Sequence, residues 1–341
     1  MACPYDPSMA ATHLPGTTDR RIDALAALLA ENPMIVISGA KIAREIGVTR
    51  SAVWHWVTQL RGLGVGVKGH ARAGYQIERV ADVLVPKLLR KRLHGCGLGK
   101  RVYHFFKTDS TNRVALELGH ADEPHGTIVL AEEQTAGRRR AGRSWHSEKS
   151  SGIYVTVLLR PPISPADAPL LTLLAGLAVR GAIAEQTGVE CDVRWPNDLL
   201  IGGKKVCGIL TEMYAEPDQV RFVIVGIGMN VNHAGFPKEL ETIATSLRME
   251  TGKQQSRLEL LVKTLRALER HYNRFLAEGS RPVLEEFSRV SSYARVKRVR
   301  IATSNETYVG TTAGLEANGL LRVEREDGRT SVVVSGDVSE V

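Results

Sequence analysis

The sequence predicts an α+β protein in three parts, and three changes of pattern along the chain carry that prediction. Residues 20–78 hold three short amphipathic stretches and then a basic hairpin. From 79 to 290 apolar strand-like runs alternate with long helical ones, as a mixed sheet with helical layers requires. From 291 to 341 short alternating strands are broken by Asn-Glu, Ala-Asn-Gly and Asp-Gly turns. A chain of 341 residues is also long for a single core. Residues 1–19 carry no period and read as a disordered lead-in.

In the first part, a helix from Arg21 to Glu31 places Ile22, Leu25, Leu28 and Leu29 on one face and stops at Asn32-Pro33. Ser38 caps a second helix, with Ile42 and Ile46 inward and Gly47 as its stop. Thr49 caps a third, whose Val53, Trp56, Val57 and Leu60 follow helical spacing. Two short helices joined at a glycine form a helix-turn-helix, and GVGVKGHARAGYQI adds a basic two-stranded wing. Arg50, Ser51, Trp54 and His55 fall on the outer face of the third helix and are the candidate DNA-binding residues. Eight Lys and Arg face three acids between residues 20 and 77, more than half of the chain's formal excess of +8. That concentration suits a phosphate backbone, or alternatively an acidic protein surface.

The second part opens with a connector and a basic helix, PKLLRKRLHG. RVYHFF, GTIVLAEE, IYVTVLLR, DVRW, LLI, VCGILTEM and VRFVIVGIGM are its strands, and Ala168–Gln186 and Ser256–Ala277 its long helices. Gly202-Gly203 turns a hairpin. The third part has the strand lengths of a small SH3-like β-barrel. No apolar run is expected to cross a bilayer, and the N-terminus lacks the charged-then-apolar order of a signal peptide. Cys3, Cys96, Cys191 and Cys207 show no metal or redox spacing, so a reduced, cytoplasmic protein is expected.

Four clusters in the central part could carry chemistry. Ser110-Thr111-Asn112 offers hydroxyl and amide groups at a helix start, the pattern of a plain cap or of a ligand wall. QTAGRRRAGRSW, residues 134–145, gathers four arginines within six positions, three between Gly137 and Gly142 and the fourth, Arg143, just after. Such a loop is either a solvated basic strip or an anion clamp made of planar, permanently charged forks. RWPNDLLIGGKKVCGIL stiffens a turn at Pro196, offers Asn197 and Asp198, and returns Lys204 or Lys205 toward them across the hairpin. Strand alternation lets only one of those lysines face the site. VGIGMNVN is a glycine-punctuated buried strand ending at Asn230. It lacks the third glycine and helix start of a dinucleotide fold, and there is no P-loop.

Taken in order, QTAGRRRAGRSW, RWPND, KKVCGIL and VGIGMNVN resemble the biotin protein ligase family. From about residue 20 onward the chain is similar to its bifunctional members, in which a winged helix-turn-helix precedes the ligase and represses biotin synthesis genes. The resemblance implies a central domain of the biotin/lipoate ligase type. Its reaction joins biotin and MgATP into biotinyl-5′-AMP, then transfers biotin to a lysine of a biotin carboxyl carrier domain.

It also implies roles for residues that match the family's motifs. Ser110, Thr111, Asn112, Gln134 and Gly137, with Arg138, Arg139, Arg140 and Lys205, would bind biotin. Arg140, Arg143, Trp145, Asn197 and Asn230 would bind ATP. Lys205, Arg138, Arg140 and Asp198 would carry the chemistry. No metal-ligating protein set is implied beyond the Mg2+ that accompanies ATP. Operator DNA and a homodimer formed with biotinyl-adenylate are the implied partners, with no membrane. One departure stands out: the family's central glycine is Arg139 here, and if that position needs φ > 0 the arginine costs about 1 kcal/mol or more. Two other readings share these motifs, a biotin-sensing repressor with little ligase output and a lipoate or octanoate ligase.

Overall fold

The structure, a computed structural model, describes residues 17–341 apart from 63, 79–81, 83, 139–141, 143 and 304. The first helix, α1, runs Thr17–Glu31, so the end of the expected lead-in is helical; residues 1–16 lie outside the described residues. α2 (Gly39–Ile46) is capped as its sequence demands, the Ser38 hydroxyl accepting from Lys41 N and Gly47 turning left-handed at φ 66°. Thr49 caps a single 3-10 turn, Arg50–Ala52, which leads into α3 (Val53–Gly62). The strands β1 (Val67–His70) and β2 (Gly74–Ile77) form the wing, with Arg72 left-handed in the turn between them. Ile22, Leu25, Leu29, Ile42, Val53, Trp56, Val57 and Leu60 close one apolar core, each at the position its helical spacing assigned.

After α4 (Pro86–Arg92) come β3 (Val102–Phe105), α5 (Thr111–His120), β4 (Thr127–Ala131), β5 (Gly152–Leu159) and α6 (Ala168–Thr187). β6 (Asp192–Arg194), β7 (Asp198–Ile201), β8 (Lys204–Ala215) and β9 (Val220–Asn230) follow, then α7 (Leu247–Thr251), α8 (Arg257–Glu278) and α9 (Arg281–Val290). The seven strands join in the order β3-β4-β5-β9-β8-β7-β6, with β3 parallel to β4 and every other pairing antiparallel. β5 is buried along its whole length because both faces are covered. Ile153, Val155, Val157 and Leu159 enter the core under α6 and α8, and Leu158 joins Val114 and Leu118 of α5 on the opposite face.

α6 is apolar all round and is long and apolar enough, by length and composition, to cross a membrane, contrary to the sequence expectation. Two-thirds of that stretch (67%) is buried within the protein, the environment that such a helix needs.

β10 (Arg298–Ala302), β11 (Thr307–Leu315), β12 (Leu321–Arg325), β13 (Thr330–Val333) and β14 (Asp337–Glu340) form an antiparallel SH3-like sheet in the order β13-β12-β11-β10-β14. Its Val299, Ile301, Leu321, Val323 and Val338 merge with the core under α6, and Trp195 Nε1 donates to Gly319 O at 2.9 Å. This docking brings β14 to the edge of the central cavity.

Candidate active site

A cavity of about 310 Å3 opens over β8 and β9, at the small end of ligand sites. Its floor is glycine. Gly208 and Gly228 lie opposite each other in the β8–β9 register. The indole of Trp145 rests on them: a Cβ on Gly228 would come 2.7 Å from Trp145 Cε2, and one on Gly208 would come 2.9 Å from Cζ3. A Cβ on Gly226 would collide with the Asn112 amide. These glycines therefore let side chains and ligands lie against the sheet.

One wall is a chain of neutral polar groups. Gln134 Oε1 accepts from Thr111 N at 2.8 Å and from the Thr111 hydroxyl at 3.1 Å. Thr156 Oγ1 lies 2.9 Å from that hydroxyl and donates to Asn112 Oδ1 at 2.7 Å, while Asn112 Nδ2 donates to Glu212 Oε2 at 2.8 Å. Ser110 is buried immediately before this wall as the N-cap residue of α5 and does not line the cavity.

The arginine loop leaves β4 beside the wall. Its base is closed by an antiparallel bridge between Arg138 and Ser144 and by Trp145 N donating to Gly137 O at 2.8 Å. Gly137 is packed tightly enough that a Cβ would sit 3.1 Å from Gln134 Nε2. Arg138 reaches into the cavity, with Nη1 3.6 Å from Glu212 Oε1. Arg139, Arg140 and Arg143, and with them the expected cost at position 139, lie outside the described residues.

The charged centre comes from the RWPND hairpin. Arg194, at the end of β6, donates through Nη2 to Asp198 Oδ2 at 2.5 Å, and the Lys205 ammonium meets Asp198 Oδ1 from the neighbouring strand. Gly202 and Gly203 both turn with positive φ, 54° and 80°, which a tight two-residue hairpin requires. Lys205 thus faces inward, 5.4 Å from the centroid of the Trp145 ring, while the ammonium of Lys204 lies outside, 3.3 Å from Glu241 O. Burial alone would raise the Asp198 carboxyl, but Lys205 and Arg194 outweigh it and hold it below the ordinary carboxylate range.

Asn197 Nδ2 donates to Ile209 O at 2.7 Å on the cavity side. Asn230 Nδ2 donates to Thr245 O at 3.0 Å, and this residue lines an adjoining hollow with Trp145, His146 and Phe236.

Three contributors escape a motif reading: Arg194, Glu212 and the β14 segment Asp337–Ser339, which also lines the cavity. Arg194 opens the RWPND motif, in which Asn197 and Asp198 are the evident polar groups. Nothing local marks the β14 segment, whose place follows from the docking of the C-terminal sheet. On the N-terminal unit, Arg50, Ser51, Trp54 and His55 are all exposed, but only Trp54 (64% exposed) and His55 lie on α3; Arg50 and Ser51, expected on the same helix, belong to the 3-10 turn before it.

Three family models match the chain in succession. Residues 20–76 match an HTH domain, 105–230 the biotin/lipoate A/B protein ligase family, and 297–339 the biotin protein ligase C-terminal domain. The chain is 39% identical to the bifunctional ligase/repressor BirA of Bacillus subtilis, over 86% of this chain and 90% of the relative. It is 34% identical to the biotin–[acetyl-CoA-carboxylase] ligase of Mycobacterium tuberculosis, over 76% and 97% of the two chains. Among solved structures, the biotin protein ligase of Aquifex aeolicus in complex with biotin and ATP superposes with a TM-score of 0.60 at 30% identity, over 70% of this chain and 98% of that one.

Proposed function

This chain belongs to the biotin protein ligase family, and on that premise we propose how its own residues perform the family's reaction. It is a biotin protein ligase: it activates biotin with ATP to biotinyl-5′-AMP and transfers biotin to a lysine of a biotin carboxyl carrier domain. With its helix-turn-helix it is also a biotin-responsive repressor of biotin synthesis genes.

The observation that carries the catalytic reading is the half-buried Arg194–Asp198–Lys205 centre beside a neutral polar wall, above a glycine floor. Adenylation brings a carboxylate against the α-phosphate, so cations must already stand where the two anions meet. Lys205 takes that position, gripping the carboxylate of biotin and a phosphoryl oxygen. Asp198, ion-paired with Lys205, keeps it aimed. Being held below its ordinary range, Asp198 is a poor proton acceptor at neutral pH, so orienting the incoming carrier lysine suits it better than deprotonating it. Arg138 supplies charge from the loop, joined by Arg140 and Arg143 by their match to the family motif.

Thr111, Asn112 and Gln134 receive the ureido head of biotin, with Ser110 and Gly137 supporting them from behind. A ureido ring donates and accepts hydrogen bonds, whereas the dithiolane of lipoate and the alkyl chain of octanoate have no such groups. The polar wall therefore favours biotin over the lipoate reading. Trp145 packs on adenine, and Asn197 and Asn230 bind the nucleotide. Mg2+ enters on the triphosphate. The amide oxygens of those two asparagines suit a hard cation, whereas Asp198 is already held by two side-chain cations.

The three separate sheets support a division into a winged helix-turn-helix over 20–78, a ligase domain over 79–290 and a C-terminal sheet over 291–341. Arg50, Ser51, Trp54 and His55 meet operator DNA, and biotinyl-adenylate promotes the homodimer that reads paired half-sites. Cys96, Cys191 and Cys207 are buried free thiols, which suits the reduced cytoplasm. Incubating the full chain with ATP, labelled biotin and a carrier domain tests the reading. Label linked to the carrier lysine is expected. A chain that protects operator DNA without labelling the carrier would be a repressor alone.

A further inference from the structure

Beside the ligase cavity lies a group of ligands that the adenylation chemistry does not use. His146, Glu148 and His233 each present one ligand atom, and all three atoms lie within 4.8 Å of one another. We propose that these residues form a site for a zinc-class transition metal ion, distinct from the Mg2+ that travels with ATP.

Three features support a metal over a chance cluster. First, tetrahedral zinc with bonds of about 2.0–2.2 Å sets its ligand atoms roughly 3.4 Å apart, so a closure on the order of 1 Å completes the site. Second, His233 is fully buried (0% exposed), yet its Nδ1 has no hydrogen-bond partner. A buried ring nitrogen left unmatched is costly, and an unfilled ligand position explains it. Third, His233 is held in place: its ring stacks on Phe236 with centroids 5.1 Å apart, and its carbonyl accepts from Ser246 Oγ at 2.7 Å.

The carboxylate arm is steadied too. The Tyr154 hydroxyl donates to Glu148 O at 3.0 Å and lies 3.4 Å from His233 Nε2. Two imidazoles and one carboxylate with a fourth position open are a zinc or cobalt donor set, and imidazole nitrogens disfavour Mg2+.

The position gives such an ion a consequence. His146 follows Trp145 at the exit of the arginine loop, and His233 lies just beyond Asn230 at the end of β9. A bound ion would pin the loop exit to that strand end, next to the hollow that Trp145 and Asn230 line. The inference is independent of the ligase reading, because its readout is metal binding without nucleotide.

The test uses the full chain stripped with a chelator and kept in excess Mg2+ without ATP. Zn2+ is titrated against a chromogenic competitor, and Co2+ is substituted to record the visible bands of a tetrahedral site. The wild type is expected to take up one Zn2+ per chain. His146→Ala should weaken it roughly 100-fold or more, since even outer-sphere changes reach that size. Glu148→Gln, at an exposed position that leaves the core intact, should weaken it roughly 10-fold. Sub-stoichiometric zinc in the wild type, or unchanged affinity in His146→Ala, would overturn the proposal.

Discussion

Two clusters of opposed charge are withdrawn from water in this chain, one in the cavity and one at the seam between the helix-turn-helix and the central sheet. In the cavity, Asp198 holds Lys205 and Arg194, and the remaining face of the cluster opens onto the glycine floor and the arginine loop. At the seam, Glu132 is 1% exposed and Arg257 0%, and their groups are closed on all sides. Glu132 accepts from Leu84 N at 2.9 Å and from Arg257 Nη1 at 2.8 Å; Arg257 also donates to Gly152 O and to Asp82. His104 extends the cluster across the seam, with Nδ1 2.7 Å from Asp23 Oδ1 of α1 and Nε2 3.5 Å from Glu132 Oε1.

The central groups of the seam are the more deeply buried, and the larger difference between the clusters is closure. A cluster whose partners are all protein groups fixes the relative position of the units it joins. A cluster with one open side keeps its charge available for an anion from outside.

The largest expected effect tests the closed cluster. Glu132→Gln leaves Arg257 and His104 buried without their central anion and should cost about 3–5 kcal/mol of stability in urea unfolding. Asp198→Asn should cost clearly less, because the Lys205 ammonium can turn into the cavity. Equal losses would erase the distinction between the two regions.

The next effect is a pH dependence confined to the seam. Burial lowers the His104 imidazole, but Asp23 and Glu132 outweigh it and raise it from 6.5 to about 9. Burial raises the Glu132 carboxyl, and Arg257 and His104 bring it well below its ordinary 4.5. The His104 contribution is therefore complete below pH 6.5 and is lost as pH rises through about 9. The Glu132 contribution is complete above pH 4.5 and is lost on acidification. The seam is most stabilising between those two values, and on the order of 2–3 kcal/mol should disappear between neutral and strongly alkaline pH. His104→Gln should flatten the alkaline slope. An unchanged slope would place its origin elsewhere.

A smaller effect probes the floor. Gly228→Ala puts a methyl against the Trp145 ring and should cost about 1–2 kcal/mol, seen as a roughly tenfold rise in KM for ATP with kcat less affected. A fall in kcat alone would move Trp145 from nucleotide binding to the chemical step.

The two regions were unequally legible in the sequence. Caps at Ser38 and Thr49, the stop at Gly47 and the turn at Gly202-Gly203 are local signals, and each lies where its chemistry predicts. The choice between Lys204 and Lys205 was half legible. Alternation says that one must face in, but a β-bulge at Leu199 and Leu200 shifts the register, so only the folded hairpin says which. The seam was invisible, because Asp23, Asp82, His104, Glu132 and Arg257 come from five separate segments and none carries a motif. The same holds for Asp337, which reaches the cavity on the last strand.

The open cluster makes its sharpest claim about those two adjacent lysines. Biotin-dependent exchange of labelled pyrophosphate into ATP reports adenylation without the carrier. Lys205→Ala should lower it roughly 100- to 1,000-fold, the cost of removing a preorganised charge from a reacting centre. Lys204→Ala, at a solvent-side position, should stay within about twofold of wild type. Undiminished exchange in Lys205→Ala, or the loss falling on Lys204→Ala instead, would contradict the assignment of the cavity as the place where biotin meets ATP.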